Sequence, residues 1–310
     1  MDANDGLARQ FEEHRGRLRA VAYRMLGSLD EAEDAVQESW LRLSRVRPQE
    51  IGNLAAWLTT VVSRVCLDQL RSRRTRPVEL VGEQLPERVA EADDDAGPES
   101  EALLVDSVGR ALLVVLDRLA PAERVAFVLH DLFAVPFDQI APIVERSPVT
   151  TKKLASRARL RVQGTPAVSG AHLAEQRRVV EAFLSAARGG DLAALLAVLA
   201  PDVVRRADPA VLPTGVAALV RGAASVARET VVLGRRARFA EPALVDGVVG
   251  VVVAPHGRLA LVLTVDVAAG RVAGYEVIAA PGRLDRLDLA VLPPVNALAP
   301  PAAQLRGHRR

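Results

Sequence analysis

Arg146-Ser-Pro-Val-Thr-Thr-Lys-Lys-Leu-Ala-Ser-Arg-Ala-Arg-Leu-Arg161 is the stretch from which the rest of the chain is best read. Ser147 is placed to cap a helix, and Pro148 suits its first position, where a missing N–H costs nothing. Side chains then advance about 100° per residue, so Lys152, Lys153, Ser156 and Arg157 share one broad face while Thr151, Leu154 and Ala155 can turn toward a domain interior. Lys152 and Lys153 are the only lysines in the chain. Just upstream, a short helical pattern from Phe137 to Val144 and a tight turn at Glu145-Arg146 give the order short helix, turn, basic helix, which is that of a helix-turn-helix. Cations on such a face neutralise phosphates or donate to guanine acceptors, and Ser and Thr add adaptable hydrogen bonds. A solvated helix face with ordinary charge is the competing account of this segment taken alone.

Working outward, apolar residues recur at three- and four-residue spacing in Leu18, Val21, Ala22 and Met25, then in Ala35, Val36, Trp40 and Leu43, and again in Leu54, Trp57, Leu58, Val61, Val62, Val65 and Leu70. That period predicts a compact all-helical domain. The second of these runs sets Glu31, Asp34, Gln37 and Glu38 along one side, a face better suited to a protein partner than to DNA, although a plain solvated amphipathic helix also fits. The third ends in Arg71, Arg73, Arg74 and Arg76, and its polar positions Thr60, Ser63, Arg64 and Asp68 could lie along a nucleic-acid backbone. Residues 77–101 lose the periodicity and gain prolines, glycines and acidic side chains, as a linker does. Helical pattern resumes at Glu101, breaks at Pro121, and continues over about 122 to 134 before the helix-turn-helix.

The chain has 40 basic and 38 acidic residues, so a formal net charge of +2 conceals an arginine cluster followed directly by an acidic run. Local charge therefore says more than the total. Its 310 residues suggest about two or three domains. One cysteine, Cys66, excludes an internal disulfide framework and a Cys-cluster zinc site, and it lies in an apolar helical run that places it in a core. No apolar run reaches the roughly eighteen residues of a membrane span, and the acidic N-terminus is unlike a signal peptide, so a cytoplasmic protein with no membrane partner is expected.

Beyond a second linker at 164–171, helices are expected at about 173–188 and 191–199. Strands follow at Val248–Val253, Leu259–Val267 and Val272–Ile278, punctuated by Asp246-Gly247, Pro255-His256-Gly257 and Ala269-Gly270. This is the pattern of an α+β domain with an antiparallel sheet, and the proline-rich end from 291 to 310 reads as a disordered tail.

Several of these runs resemble a known family. Leu18-Arg-Ala-Val-Ala-Tyr-Arg-Met-Leu-Gly-Ser28, Ala32-Glu-Asp-Ala-Val-Gln-Glu-Ser-Trp-Leu-Arg42 and Ala56-Trp-Leu-Thr-Thr-Val-Val-Ser-Arg-Val-Cys-Leu-Asp-Gln-Leu-Arg71 look like region 2 of extracytoplasmic-function sigma factors, and Asp117 through Arg161 looks like region 4. The segment from Phe183 to Val203 resembles the start of a SnoaL-like cone, as in the fused SigJ-type subgroup. The resemblance implies a multidomain fold: region 2, an all-α bundle (5–76); the linker (77–101); region 4, all-α with its helix-turn-helix (102–163); and an α+β SnoaL/NTF2-like cone (172–290).

The implied function is that of an alternative sigma factor, binding core RNA polymerase through the clamp helices of its largest subunit and the flap. Glu31, Asp34, Gln37, Glu38, Trp40 and Arg42 would meet the polymerase. Asn53, Ser63, Arg64 and Arg71 would engage the minus-ten element as it melts, and Arg146, Thr150, Lys152, Lys153, Ser156 and Arg157 the minus-thirty-five element. Leu85-Pro-Glu87 matches the middle of the subgroup's Trp-Leu-Pro-Glu-Pro signature, a linker segment expected to act in control in cis by the C-terminal domain. Two motifs depart from the subgroup: Arg206-Ala-Asp-Pro-Ala-Val211 keeps only Asp208 of a Ser-Asp-Gly-Gly-Gly-Lys run, and Ala280-Pro-Gly-Arg-Leu284 replaces Asn-Pro-Asp-Lys-Leu. No cofactor is expected; an unknown ligand in the cone stays open. Enzymatic action would have to rest on Asp208, His256, Asp266, Tyr275 or Glu276, a thin set of which Tyr275 and Glu276 cannot both face inward. A conventional repressor or activator using the helix-turn-helix alone is the other rival, and it leaves the first 76 residues unexplained.

Overall fold

Helix α1 (Ala3–Leu26) stops at Gly27, whose φ of 75° is a conformation glycine adopts freely, and Ser28 then opens α2 (Leu29–Leu43) by accepting from the Glu31 amide at 3.4 Å. Asn53 does the same for α3 (Leu54–Thr75), its Oδ1 accepting from the Ala56 amide at 3.0 Å. These three helices pack on one another around Leu18, Val21, Met25, Ala35, Leu43, Leu58 and Val62, all buried. The computed structural model describes residues 3–47, 51–75, 109–209, 212 and 217–294. The linker with Leu85, Pro86 and Glu87 and the tail from 295 lie outside the described residues, as does the start of the helical pattern from Glu101 to 108.

The second group of helices is α4 (Arg110–Asp117), α5 (Pro121–Phe127), α6 (Phe137–Val144) and α7 (Pro148–Gln163). Where periodicity suggests a single helix over 122–134, α5 instead widens into a π turn over Val128–Leu132. Packing divides the chain into two units, residues 1–162 with 254–260, and residues 163–253 with 261–310, so both helical groups belong to the first.

The second unit begins with α8 (Gly170–Gly189) and α9 (Leu192–Val198), separated by the left-handed Gly190 and capped by Ser169 and Asp191 respectively. It continues with β1 (Leu199–Ala207), β2 (Leu219–Arg221), α10 (Ala223–Leu233), β3 (Ala240–Val245), β4 (Val248–Val253), β5 (Leu261–Ala268), β6 (Arg271–Ile278), the short α11 (Pro281–Leu284) and β7 (Leu289–Ala290). The seven strands run in the order β2-β1-β6-β5-β4-β3-β7. Asp246-Gly247 and Ala269-Gly270 each have two consecutive positive φ values, as a two-residue hairpin turn demands. The expectation of an antiparallel sheet needs correction, because β1 pairs parallel to β6 and the sheet is mixed.

Candidate nucleic-acid interface

The helix-turn-helix is built from α6, a turn and α7. Glu145 takes a left-handed conformation (φ 57°) that ends α6, and the Arg146 amide reaches back to the Ala141 carbonyl at 3.1 Å. Ser147 Oγ accepts from the Thr150 amide at 3.2 Å and pairs with the Thr150 hydroxyl at 2.9 Å, so Thr150 is exposed but its hydroxyl is engaged in the cap. Thr151, Ala155, Ala158 and Val162 are buried at spacings of three and four, which fixes the rotation of α7.

That rotation leaves Lys152, Lys153, Ser156 and Arg157 exposed together, with Arg146 exposed just before the helix. Among the described residues neither lysine nor Arg157 has a hydrogen bond or ion pair. The neighbouring cations are committed: Arg159 Nε bonds Asp131 Oδ1 at 2.6 Å, and Arg161 reaches the buried Glu123 at 2.8 Å. The helix thus divides its cations into two that tie it to α5 and the π turn and three that face outward.

On α2, Asp34, Gln37 and Arg42 are exposed and Glu38 half-buried, with Arg42 Nε bonding Glu38 Oε1 at 2.9 Å. Trp40 is half-buried with its ring 5.1 Å from that of Phe11, and Glu31 pairs with Arg73. Sequence reading passed over Leu41, which is 48% exposed on the same face. The available signal was a large apolar residue one turn beyond Gln37, on the polar side of the helix.

On α3 the picture is mixed. Asn53 is exposed, with its amide oxygen capping the helix. Ser63 is 0% exposed, away from the outward face, and its hydroxyl has no partner among the described residues. Arg64 donates to the Pro142 carbonyl at 3.2 Å, and Arg71 pairs with Glu145 at 3.3 Å as well as with Asp68 at 3.8 Å. Two expected minus-ten cations therefore touch α6, the first helix of the helix-turn-helix. Arg73, read as an extension of the cationic cluster, turns inward to the Leu26 carbonyl at 3.1 Å and to Glu31. A second link between the helical groups is Arg124, only 2% exposed, which donates to the Arg24 carbonyl at 3.4 Å and to Asp117 at 3.0 Å.

In the second unit, the two segments that carry the altered subgroup motifs meet through the retained Asp208. Asp208 Oδ2 accepts from the amides of Ala279 and Ala280 at 2.9 and 3.0 Å, and its Oδ1 accepts from Arg283 at 2.6 Å. Burial disfavours the Asp208 carboxylate, but the two amides and Arg283 outweigh it and hold the carboxyl below its ordinary value. Glu276 bonds Arg283 at 2.9 Å, whereas Tyr275, its neighbour on β6, faces a cavity of about 120 Å³. Asp266 is exposed, and His256 belongs to the other unit. Of the titratable candidates for catalysis, Tyr275 lines the cavity, whereas Asp208 and Glu276 share Arg283. Among the described residues no group of three His, Cys, Asp or Glu is placed to hold a metal, and no helix is long and apolar enough to cross a membrane.

Comparison with known proteins agrees with this arrangement. The family models for Sigma-70 region 2 and Sigma-70 region 4 match residues 10–76 and 109–162. The Mycobacterium tuberculosis ECF RNA polymerase sigma factor SigJ is 42% identical over 221 residues, covering 71% of this chain and 70% of SigJ. The probable ECF RNA polymerase sigma factor SigI of the same organism is 33% identical over 299 residues, covering 93% of this chain and 98% of SigI. A crystal structure of Mycobacterium tuberculosis SigJ aligns with 90% of this chain and 98% of its own, at 35% identity and a TM-score of 0.45. With both sigma regions matched in order and a relative at 33% identity aligned over nearly its whole length, the chain belongs to the extracytoplasmic-function family of RNA polymerase sigma factors, the alternative sigma factors that direct transcription initiation.

Proposed function

We propose that the chain brings core RNA polymerase to promoters with two recognition elements, without catalysis of its own, reading the minus-thirty-five element with α7 and the minus-ten element with α3. The observation that carries this reading is the division of cations on α7. Arg159 and Arg161 are tied to Asp131 and Glu123, while Lys152, Lys153 and Arg157 stand exposed with no partner among the described residues. Three cations left unpaired on one face beside a polar Ser156 are available to neutralise phosphates and to donate to bases. In this reading the lysines and Arg146 hold phosphates, and base preference rests on Thr150, Ser156 and Arg157. Asn53, Arg64 and Arg71 would meet the minus-ten element, where flipped-out bases replace lost stacking with protein contacts.

The face of α2 with Asp34, Gln37, Glu38 and Arg42, extended by the exposed Leu41, is assigned to the clamp helices of the polymerase, and region 4 to the flap. The contacts of Arg64 and Arg71 with α6 support a further step in which regions 2 and 4 separate before α3 can take DNA. The C-terminal domain would control this step in cis, in the cytoplasm, with the linker around Leu85, Pro86 and Glu87 contributing to control. In vitro transcription with core polymerase tests the reading: the full chain should produce promoter-specific initiation. DNA binding without polymerase, and no initiation with it, would instead favour a conventional repressor or activator.

A further inference from the structure

We infer that the cavity in the C-terminal unit binds a small neutral molecule, mostly apolar and about one ring in size, that presents a hydroxyl or N–H group to Tyr275 and Glu229. The inference stands apart from the reading of the helical unit, since every residue it uses lies in residues 163–253 or 261–310.

The walls follow from strand register. Val251 pairs with Leu263 and Val253 with Leu261, while Tyr275 is opposite Val265 on one side and Arg205 on the other, so these positions lie on one face of the sheet. Together with Phe183 on α8 and Thr230 on α10 they line a cavity of about 120 Å³. An apolar cavity of roughly 150 Å³ takes benzene, so a single ring or a short branched chain is the size that fits.

The polarity of the occupant follows from where the protons go. Thr230 has one hydroxyl hydrogen, and it is committed to the Val226 carbonyl at 2.8 Å. The 3.2 Å contact between Thr230 and Tyr275 must then have the tyrosine as donor. The Tyr275 oxygen, in a residue only 9% exposed, is left to accept, and no described residue donates to it. Beside it, Arg205, 3% exposed, pairs with Glu229 through one carboxylate oxygen and donates to the Ala217 carbonyl at 2.8 Å; among the described residues nothing donates to the other Glu229 oxygen, a second open acceptor. The Arg205–Glu229 pair has no net charge. An anion would meet the Glu229 carboxylate and a cation the Arg205 guanidinium, so a neutral donor fits where a charged ligand does not.

Tyr23 and Tyr275 are the only tyrosines, which makes the test site-specific. The full chain carrying ring-labelled tyrosine is titrated by NMR with phenol, toluene and benzoate at millimolar concentration. Phenol should move the Tyr275 signals and leave those of Tyr23 in place, toluene should do so more weakly, and benzoate should not. By calorimetry, Tyr275→Phe should lower phenol affinity by about tenfold, the scale of one lost hydrogen bond, and leave toluene affinity unchanged. Its cooperative melting would be checked alongside. Silence at Tyr275 with all three probes, tighter binding of benzoate than of phenol, or an equal loss of phenol and toluene in the variant would each overturn the inference. Transcription with core polymerase is read separately, so a failure here leaves the sigma-factor reading standing, and the reverse.

Discussion

At the residue scale, two groups have properties their sequence context could not set. Cys66 is fully buried, and burial pushes its thiol up to about 12, against which the Arg124 charge works only partly. At pH 8 its thiolate fraction is then about one part in ten thousand, and a thiol-specific reagent has no path to it. We expect no alkylation of the native chain and stoichiometric alkylation in denaturant; rapid native labelling would show that α3 opens far more readily than its packing allows. Asp208 is the other case. Its carboxyl is held below the ordinary value despite burial, so its contribution is complete above the unfolded carboxylate range near about 3.9 and is lost as pH falls through the depressed folded value. Asp208→Asn should cost about 1 to 3 kcal/mol at pH 7, where hydrogen bonds to a charged group are replaced by weaker ones. The difference from the native chain should shrink toward pH 2 in denaturant titrations; a constant difference would mean that shape, not charge, holds the Asp208–Arg283 clasp.

At the element scale, α7 was legible because every local signal agrees: a Ser-Pro start, apolar residues at three and four, and cations on the other side. Such agreement needs no knowledge of what lies nearby. β1 was not legible, since Leu199–Ala207 contains Pro201, Asp202, Arg205 and Arg206 and earns its strand from parallel pairing with β6 and from Glu229 covering the buried Arg205. β3 was hidden by Pro242, which is tolerated because β7 pairs only with Leu244 and Val245 and leaves the strand open on that side at the proline. The candidate interface was legible to the same degree as its helices. Outward residues of α7 were found from periodicity, whereas the burial of Ser63 and the inward turn of Arg73 depend on helices distant in sequence. Replacing Lys152 and Lys153 by alanine tests the phosphate role of α7. Affinity for promoter DNA should fall and the slope of log affinity against log salt should flatten by about two counterions. A changed promoter preference with an unchanged slope would mean that the lysines read bases.

At the scale of the helical unit, the contacts of Arg64 with Pro142 and of Arg71 with Glu145 occupy the cations assigned to the minus-ten element. The Arg71–Glu145 pair is exposed on both sides, so it is worth at most about 1 kcal/mol and can yield to a polymerase surface at little cost. The buried Arg124 and the packing of α3 on α5 and α6 hold the two helical groups together more firmly. Separation is then an equilibrium that a partner can shift, provided it binds the open state better than the closed one. Cysteines placed at Asp68 and Glu145, which Arg71 bridges, can be joined by a short reducible bis-maleimide, and the unreactive Cys66 leaves them as the only sites of reaction. The joined chain should melt no lower than the unjoined one, because a covalent tie restricts mainly the unfolded state. It should nevertheless fail to initiate transcription with core polymerase, and reduction of the linker should restore initiation. Equal initiation before and after reduction would show that α3 takes promoter DNA without leaving α6, and that Arg64 and Arg71 act from where they now lie.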